Sequence, residues 1–112
     1  MLPFKMPKIE KMAIKDFKDQ LSDKFKKEIV SIQLFGSKAR GDFTKGSDID
    51  ILVVLKHPSE NRINYVYELT TSLIGKYGIY LSVKIFSEDE FNYYKSIPTR
   101  FISNILKEGK LL

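Results

Sequence analysis

The order of apolar and polar residues divides the chain into segments with helical and strand periodicity. In residues 9–27 and 59–77, apolar side chains recur every three or four positions, which predicts two amphipathic helices. Residues 29–35 and 79–86 instead alternate between apolar and polar side chains, which predicts strands with one buried face. Residues 48–55 end in a nearly continuous apolar run, so we expect a central strand buried on both faces.

Short local signals mark where some of these elements begin and end. Gly78 follows the second helix, at the position where a left-handed glycine commonly ends a helix. Ser87, with Glu90 three residues later, matches a capping box and predicts the start of another helix. A last helix is expected from near Pro98 to Gly109.

The predicted elements follow one another as αβ(α)βαβαα, in which the bracketed helix is a short turn within residues 36–42. Strands that alternate with helices favour an α/β (α+β) fold, here a small mixed β-sheet flanked by helices. No internal repeat or low-complexity linker interrupts the order, and 112 residues suffice for a modest core. We therefore expect residues 1–112 to form a single domain.

Composition narrows the chemistry without defining it. The formal net charge of +5 favours encounter with anionic partners such as nucleotides or RNA, but it does not establish that nucleic acid is bound. The absence of cysteine excludes disulfides and thiolate chemistry, and His57 alone cannot complete a zinc site. No apolar run approaches the roughly 18 residues of a membrane span, and residues 1–8 do not resemble a signal peptide. A cytoplasmic protein is the expectation.

The most informative segment is the polar stretch between the first two predicted strands. It opens with Gly36, which lets the backbone approach a ligand closely, and Ser37, which offers a hydroxyl and an N–H to a phosphate oxygen. It closes with Asp48 and Asp50, whose spacing on a strand places both carboxylates on the same face. Such a pair suits Mg²⁺, which prefers oxygen ligands and usually brings substrate phosphates with it. The segment therefore predicts a site for a nucleoside triphosphate and its metal.

This segment resembles the signature of the DNA polymerase β-type nucleotidyltransferase superfamily. In that signature a Gly-Ser turn is followed, after a ten-residue gap, by two aspartates one residue apart, as Gly36, Ser37, Asp48 and Asp50 are here. The chain is most similar to the smallest members, the minimal nucleotidyltransferases, and the resemblance covers most of it. Flanking positions that also fit are Ala39, Arg40, Gly41 and the apolar residues 51–54.

The resemblance implies that a nucleoside monophosphate, AMP from ATP as the expected case, is transferred to an acceptor hydroxyl. Asp48 and Asp50 would hold Mg²⁺, in a site of two metal ions about 3.5–4 Å apart. Gly36 and Ser37 would bind the β- and γ-phosphates. Arg40 is a further phosphate candidate, because its planar guanidinium matches the geometry of a phosphate. For Lys38 and Lys45, phosphate contact and simple solvent exposure both remain open.

The third predicted strand departs from the pattern of active superfamily members, which usually carry a third carboxylate there. Ser82 occupies the expected position, if the alternation of the strand turns it away from the core. Serine is a poor metal ligand and no general base at neutral pH. Glu88 and Asp89, just beyond the strand, are candidate substitutes, but they also suit the acidic first turn of a helix. A carboxylate from a partner protein is a further alternative.

The family also implies a partner. Minimal nucleotidyltransferases are often paired with a small helical HEPN-type protein, a ribonuclease toxin in several systems, and a tyrosine of that toxin is a plausible acceptor. The alternative hypothesis is a catalytically weak, nucleotide-binding antitoxin that acts by complex formation with its partner. The intact Asp48 and Asp50 pair favours the enzyme, whereas Ser82 favours the binding protein.

Overall fold

A computed structural model describes residues 2–3, 5–44, 46–97 and 99–112. A single 3₁₀ turn, Lys26–Glu28, joins the first helix to the first strand. The helices are α1 (Lys8–Phe25), α2 (Gly36–Arg40), α3 (Glu60–Tyr77), α4 (Glu88–Lys95) and α5 (Arg100–Glu108). The strands are β1 (Ile29–Phe35), β2 (Ile49–Leu55), β3 (Leu81–Ser87) and β4 (Lys110–Leu111).

The strands form one mixed sheet in the order β3-β2-β1-β4. β1 pairs with β2 and with β4 in antiparallel orientation, whereas β2 pairs with β3 in parallel orientation. The mixed sheet flanked by helices confirms the predicted fold class. β4 was not expected, because two residues are too short to show an alternating pattern. β2 is an inner strand of this sheet, so each of its edges is hydrogen-bonded to a neighbour.

The side chains of β2 enter two separate apolar clusters, one on each face of the sheet. Ile51, Val53 and Leu55 join the larger cluster, to which α1 and α3 contribute. Leu52 and Val54 join a smaller cluster. All five are fully buried, which confirms that the apolar run forms a strand covered on both sides. The residues that α4 and α5 add to the smaller cluster are Phe91, Ile102 and Ile105.

The predicted boundaries agree with the structure to within two residues. Gly78 ends α3 with φ = 70°, as the left-handed cap requires. Ser87 and Glu90 form the reciprocal bonds of the capping box at the start of α4. Pro98 lies outside the described residues, and α5 begins at Arg100 after the capping residue Thr99. No helix in the described part of the chain is long and apolar enough to cross a membrane.

Candidate active site

Gly36 and Asp50 lie against each other where β1 meets α2. The antiparallel register places Asp50 opposite Phe35, the residue that precedes Gly36. Gly36 has φ = 74°, and a Cβ atom at this position would lie 2.5 Å from Oδ2 of Asp50. A glycine is therefore required here for two reasons: the left-handed backbone and the carboxylate that fills the place of a side chain. The tight turn holds the start of α2 beside the Asp50 carboxylate.

Asp48 completes the acidic pair from the residue just before β2. It is exposed, whereas Asp50 is half-buried. Burial raises the pKa of Asp50, the negative charge of Asp48 raises it further, and the positive charge of Lys84 acts in the opposite direction. The two carboxylates are thus close enough to repel each other.

The acidic pair fits a divalent cation. Across the described residues, no side chain donates a hydrogen bond to the carboxylate of Asp48 or Asp50, so the charge of Lys84 alone opposes the burial of Asp50 and its compensation is incomplete. A hard cation would supply that compensation, and carboxylate oxygens are the ligands that Mg²⁺ prefers. No group of three or more metal-ligating side chains occurs in the described part of the chain. Asp48 and Asp50 would therefore hold Mg²⁺ together with substrate phosphates and water.

β3 forms the neighbouring wall of the site. Its parallel register with β2 places Ser82 directly beside Asp50 and Lys84 beside Leu52. Paired residues project from the same face of a sheet, so Asp50, Ser82 and Lys84 share one face. Ser82 is half-buried and Lys84 is exposed. Ser82 thus occupies the position next to Asp50 where a third carboxylate was expected.

Glu88 and Asp89 are too far away to act as substitutes. They follow Ser87, which pairs with Leu55 at the opposite end of β2 from Asp50. Six residues separate Glu88 from the level of Asp50, which corresponds to about 20 Å along a strand. Both belong to the acidic first turn of α4, where they stabilise the start of the helix. Of the two interpretations of these carboxylates, the helix-start role is correct and the metal-ligand role is wrong.

α2 carries the remaining candidate residues. Ser37, next to Gly36, is half-buried, and its carbonyl oxygen accepts a hydrogen bond of 2.9 Å from the N–H of Gly41. The guanidinium of Arg40 is held by Asp42 and by Glu108, each at 3.0 Å. These bonds use Nε and Nη1 of Arg40, so Arg40 can offer Nη2 to a phosphate while it keeps both carboxylate partners.

Solvent exposure is the wrong interpretation for Lys38. Its side chain is 3% exposed, and its ammonium group lies 2.8 Å from Glu10 of α1. The same ammonium group lies 4.1 Å from the ring centre of Phe43. No local pattern indicates the contact with Glu10, because the two residues are 28 positions apart in the chain. Lys38 joins α2 to α1, while Lys45, the other open case, lies outside the described residues.

Residues 14–112 match the family model described as a nucleotidyltransferase domain. The chain belongs to this nucleotidyltransferase family. It is 44% identical over 103 residues to the candidate protein adenylyltransferase MJ0604 of Methanocaldococcus jannaschii, an alignment that covers 92% of the chain and 97% of the relative. The Gly-Ser turn and the acidic pair described above therefore belong to a nucleotidyltransferase.

Solved structures share the fold of this nucleotidyltransferase. One described as a candidate minimal nucleotidyltransferase has a TM-score of 0.53 and 24% identity, with 96% of this chain and 99% of that chain covered. A toxin–antitoxin crystal structure with AMP-PNP has a TM-score of 0.52 and 23% identity, with 86% and 69% covered. At these identities the similarity establishes the mixed sheet with flanking helices, which is the fold predicted from the sequence.

Proposed function

We propose that this chain, as one nucleotidyltransferase domain, is a Mg²⁺-dependent protein adenylyltransferase. It transfers AMP from ATP to a hydroxyl group of a partner protein. The acceptor oxygen attacks the α-phosphorus, the bond from that phosphorus to the bridging oxygen breaks, and pyrophosphate leaves while the hydroxyl proton is released. The observation that carries the proposal is the contact of Gly36 with Asp50 beside Asp48, since it holds the Gly-Ser turn against a pair of carboxylates that suits a cation.

Each part of the site has a defined task in this reaction. Gly36 and Ser37 bind the β- and γ-phosphates, because the turn exposes backbone next to the carboxylates. Asp48 and Asp50 would hold Mg²⁺, which would supply positive charge to the phosphate oxygens. Arg40 offers its Nη2 to a phosphate oxygen when the triphosphate is bound, while Asp42 and Glu108 hold the guanidinium in place.

The acceptor is proposed to be a tyrosine of a small helical HEPN-type partner. The name of the M. jannaschii relative supports a protein as the acceptor. The toxin–antitoxin structure with AMP-PNP supports a toxin as partner and an adenine nucleotide as substrate. The chain itself offers an open site: Asp48 and Lys84 are exposed, so a partner side chain can reach the acidic pair from solvent.

A second candidate function is that of an antitoxin that binds its partner and nucleotide without appreciable transfer. The observation that favours it is Ser82 beside Asp50, since the described residues place no third carboxylate with the acidic pair to activate the acceptor hydroxyl. Positioned general-base help contributes roughly 10²–10⁴ in rate, so its loss is measurable.

Transfer of radioactive label from ATP labelled at the α-phosphorus separates these functions. The chain is incubated with Mg²⁺ and a candidate HEPN-type protein, with the Asp48→Asn/Asp50→Asn variant in parallel. The matched control is Asp89→Asn, which also removes a carboxylate but at the far end of the sheet. Adenylyltransferase activity predicts label on the partner with the parent and with Asp89→Asn, and none with the double variant. Complex formation without label on the partner would favour the binding protein and contradict the enzyme.

A further inference from the structure

The wall of the site formed by β3 carries an uncharged serine where a carboxylate was expected, and a positive charge two residues later. Ser82 stands beside Asp50, and Lys84 follows two residues later on the same face of the sheet. With strands about 4.8 Å apart and a rise of about 3.3 Å per residue, the Cα atoms of Asp50 and Lys84 are about 8 Å apart. The four-carbon stem of lysine can span this gap.

Lys84 is available for a ligand. Its side chain is exposed, and within the described ranges it forms no ion pair closer than 4 Å. A free ammonium group next to a triphosphate site is an obvious partner for phosphate oxygens.

The net charge of this arrangement, with one divalent cation bound, equals that of a three-carboxylate site with two divalent cations. Three carboxylates with two divalent cations carry together a single positive charge. Asp48, Asp50 and Lys84 with one divalent cation carry the same charge, because the ammonium group replaces a carboxylate and its cation. The electrostatic task of stabilising the transferring phosphate is therefore met with one metal fewer.

We infer that the site binds a single divalent cation with the triphosphate, and that Lys84 contacts the α-phosphate in the place of a second metal ion. The inference rests on the proposed function and refines it, since a two-metal site was the expectation from the family. Lys84 is then a catalytic residue that touches the substrate, and Ser82 is small and uncharged so that it leaves room for the ammonium group.

Counting bound Mn²⁺ by electron paramagnetic resonance tests this inference. The full chain is titrated with Mn²⁺ in the presence of α,β-methylene ATP, whose methylene bridge prevents cleavage between the α- and β-phosphorus. We expect one Mn²⁺ per parent chain and two in the Ser82→Asp/Lys84→Gln variant, which restores the third carboxylate and removes the ammonium group. Circular dichroism confirms that each variant is folded.

Affinity for the same analogue, at a fixed Mg²⁺ concentration, gives a second readout. Lys84→Gln is expected to weaken binding roughly tenfold, the loss of one charge-assisted contact, while Lys84→Arg retains most of it. The matched control is Lys56→Gln, an exposed lysine that follows β2 at the far end of the sheet, which should bind as the parent does.

Two Mn²⁺ ions in the parent, or unchanged affinity in Lys84→Gln, would overturn this inference and leave the proposed function standing. Failure of the parent to bind the analogue at all would overturn the proposed function together with the inference.

Discussion

Gly36 and Asp50 share one space: the Cβ atom that Gly36 lacks would lie 2.5 Å from Oδ2 of Asp50. Such a distance is far below any normal contact, so an alanine at position 36 must displace the carboxylate or the start of α2. The two residues therefore act as a unit, and the glycine determines where the carboxylate points.

Replacement of Gly36 by alanine should lower the Mg²⁺-dependent affinity for an ATP analogue by about tenfold or more, because Asp50 can no longer keep its position. It should also destabilise the fold by about 1–2 kcal/mol through the left-handed backbone.

Gly78→Ala separates the two effects. Gly78 has φ = 70°, and a Cβ atom added there would meet, beyond its chain neighbours, no atom of the described residues within 4 Å, so this control should lose similar stability but keep nucleotide binding. Calorimetry measures the affinity of each variant for the analogue, and urea unfolding measures its stability. Equal binding by Gly36→Ala and the parent would contradict the role assigned to the contact.

Asp50→Asn should stabilise the metal-free protein at neutral pH although it abolishes function. Burial raises the pKa of Asp50 in the folded state above its unfolded value, so the folded state favours the protonated carboxyl group. The stability that Asp50 contributes is then present at a pH below its pKa in the unfolded chain. This stability is lost as the pH rises through the pKa of Asp50 in the folded protein. At pH 7 the charged carboxylate is a cost, and its removal should increase the free energy of unfolding.

Urea unfolding in EDTA, at pH 7 and at pH 3, measures this effect. The increase in the free energy of unfolding caused by Asp50→Asn should be present at pH 7. It should shrink at pH 3, where the Asp50 carboxyl group of the parent protein is itself protonated. A loss of stability at pH 7 would show that Asp50 has compensating donors, in contradiction to the unpaired environment described above.

The buried ion pair of Lys38 with Glu10 should respond unequally to the loss of either partner. Glu10→Ala leaves the ammonium group of Lys38 buried without its counter-charge, which should cost about 3 kcal/mol. Lys38→Met keeps the apolar stem over Phe43 and should cost less than about 1 kcal/mol, because Glu10 can turn to water. Asp19→Ala, which removes the partner of the exposed Lys15, is the control and should change stability by under roughly 0.5 kcal/mol. Thermal and urea unfolding measure the loss of stability of each variant. A larger loss for Lys38→Met than for Glu10→Ala would refute the prediction.

Asp16 should give the fold a component of stability that is lost in acid. Hydrogen bonds from Lys76, Gln20 and Tyr77 lower the pKa of Asp16 from 3.8 to about 2. Because the pKa of Asp16 is lower in the folded protein than in the unfolded chain, ionised Asp16 stabilises the fold at neutral pH. This contribution disappears as the pH falls from near 4 to near 2. Asp16→Asn should thus cost about 1–2 kcal/mol at pH 7 and less at pH 3. The exposed Asp19→Asn is the control, and a pH-independent cost of Asp16→Asn would contradict the assignment.

Local patterns in the sequence predict most of this fold because they report on which backbone conformation and which face each segment adopts. The apolar run after Asp50 predicts an inner strand, and the alternation around Ser82 places it on the face away from the main core; the parallel register with β2 then confirms its position beside Asp50. The pairing of Arg40 with Glu108 has no local signal, since it depends on how α5 docks. β4 also escapes prediction, because it exists only through its pairing with β1.

The two faces of the sheet are held by clusters of unequal size, and this inequality has a consequence for motion. The face packed by α1 and α3 contains most of the apolar core, whereas Leu52 and Val54 meet only a few residues of α4 and α5. Regions with few buried contacts open at a lower free energy than the whole fold does. Amide protons of α4 and α5 should therefore exchange with deuterium sooner than those of α1 and α3. Such an opening should bare the sheet surface that continues from Asp50 and so give an acceptor room at the site, while the larger cluster stays packed.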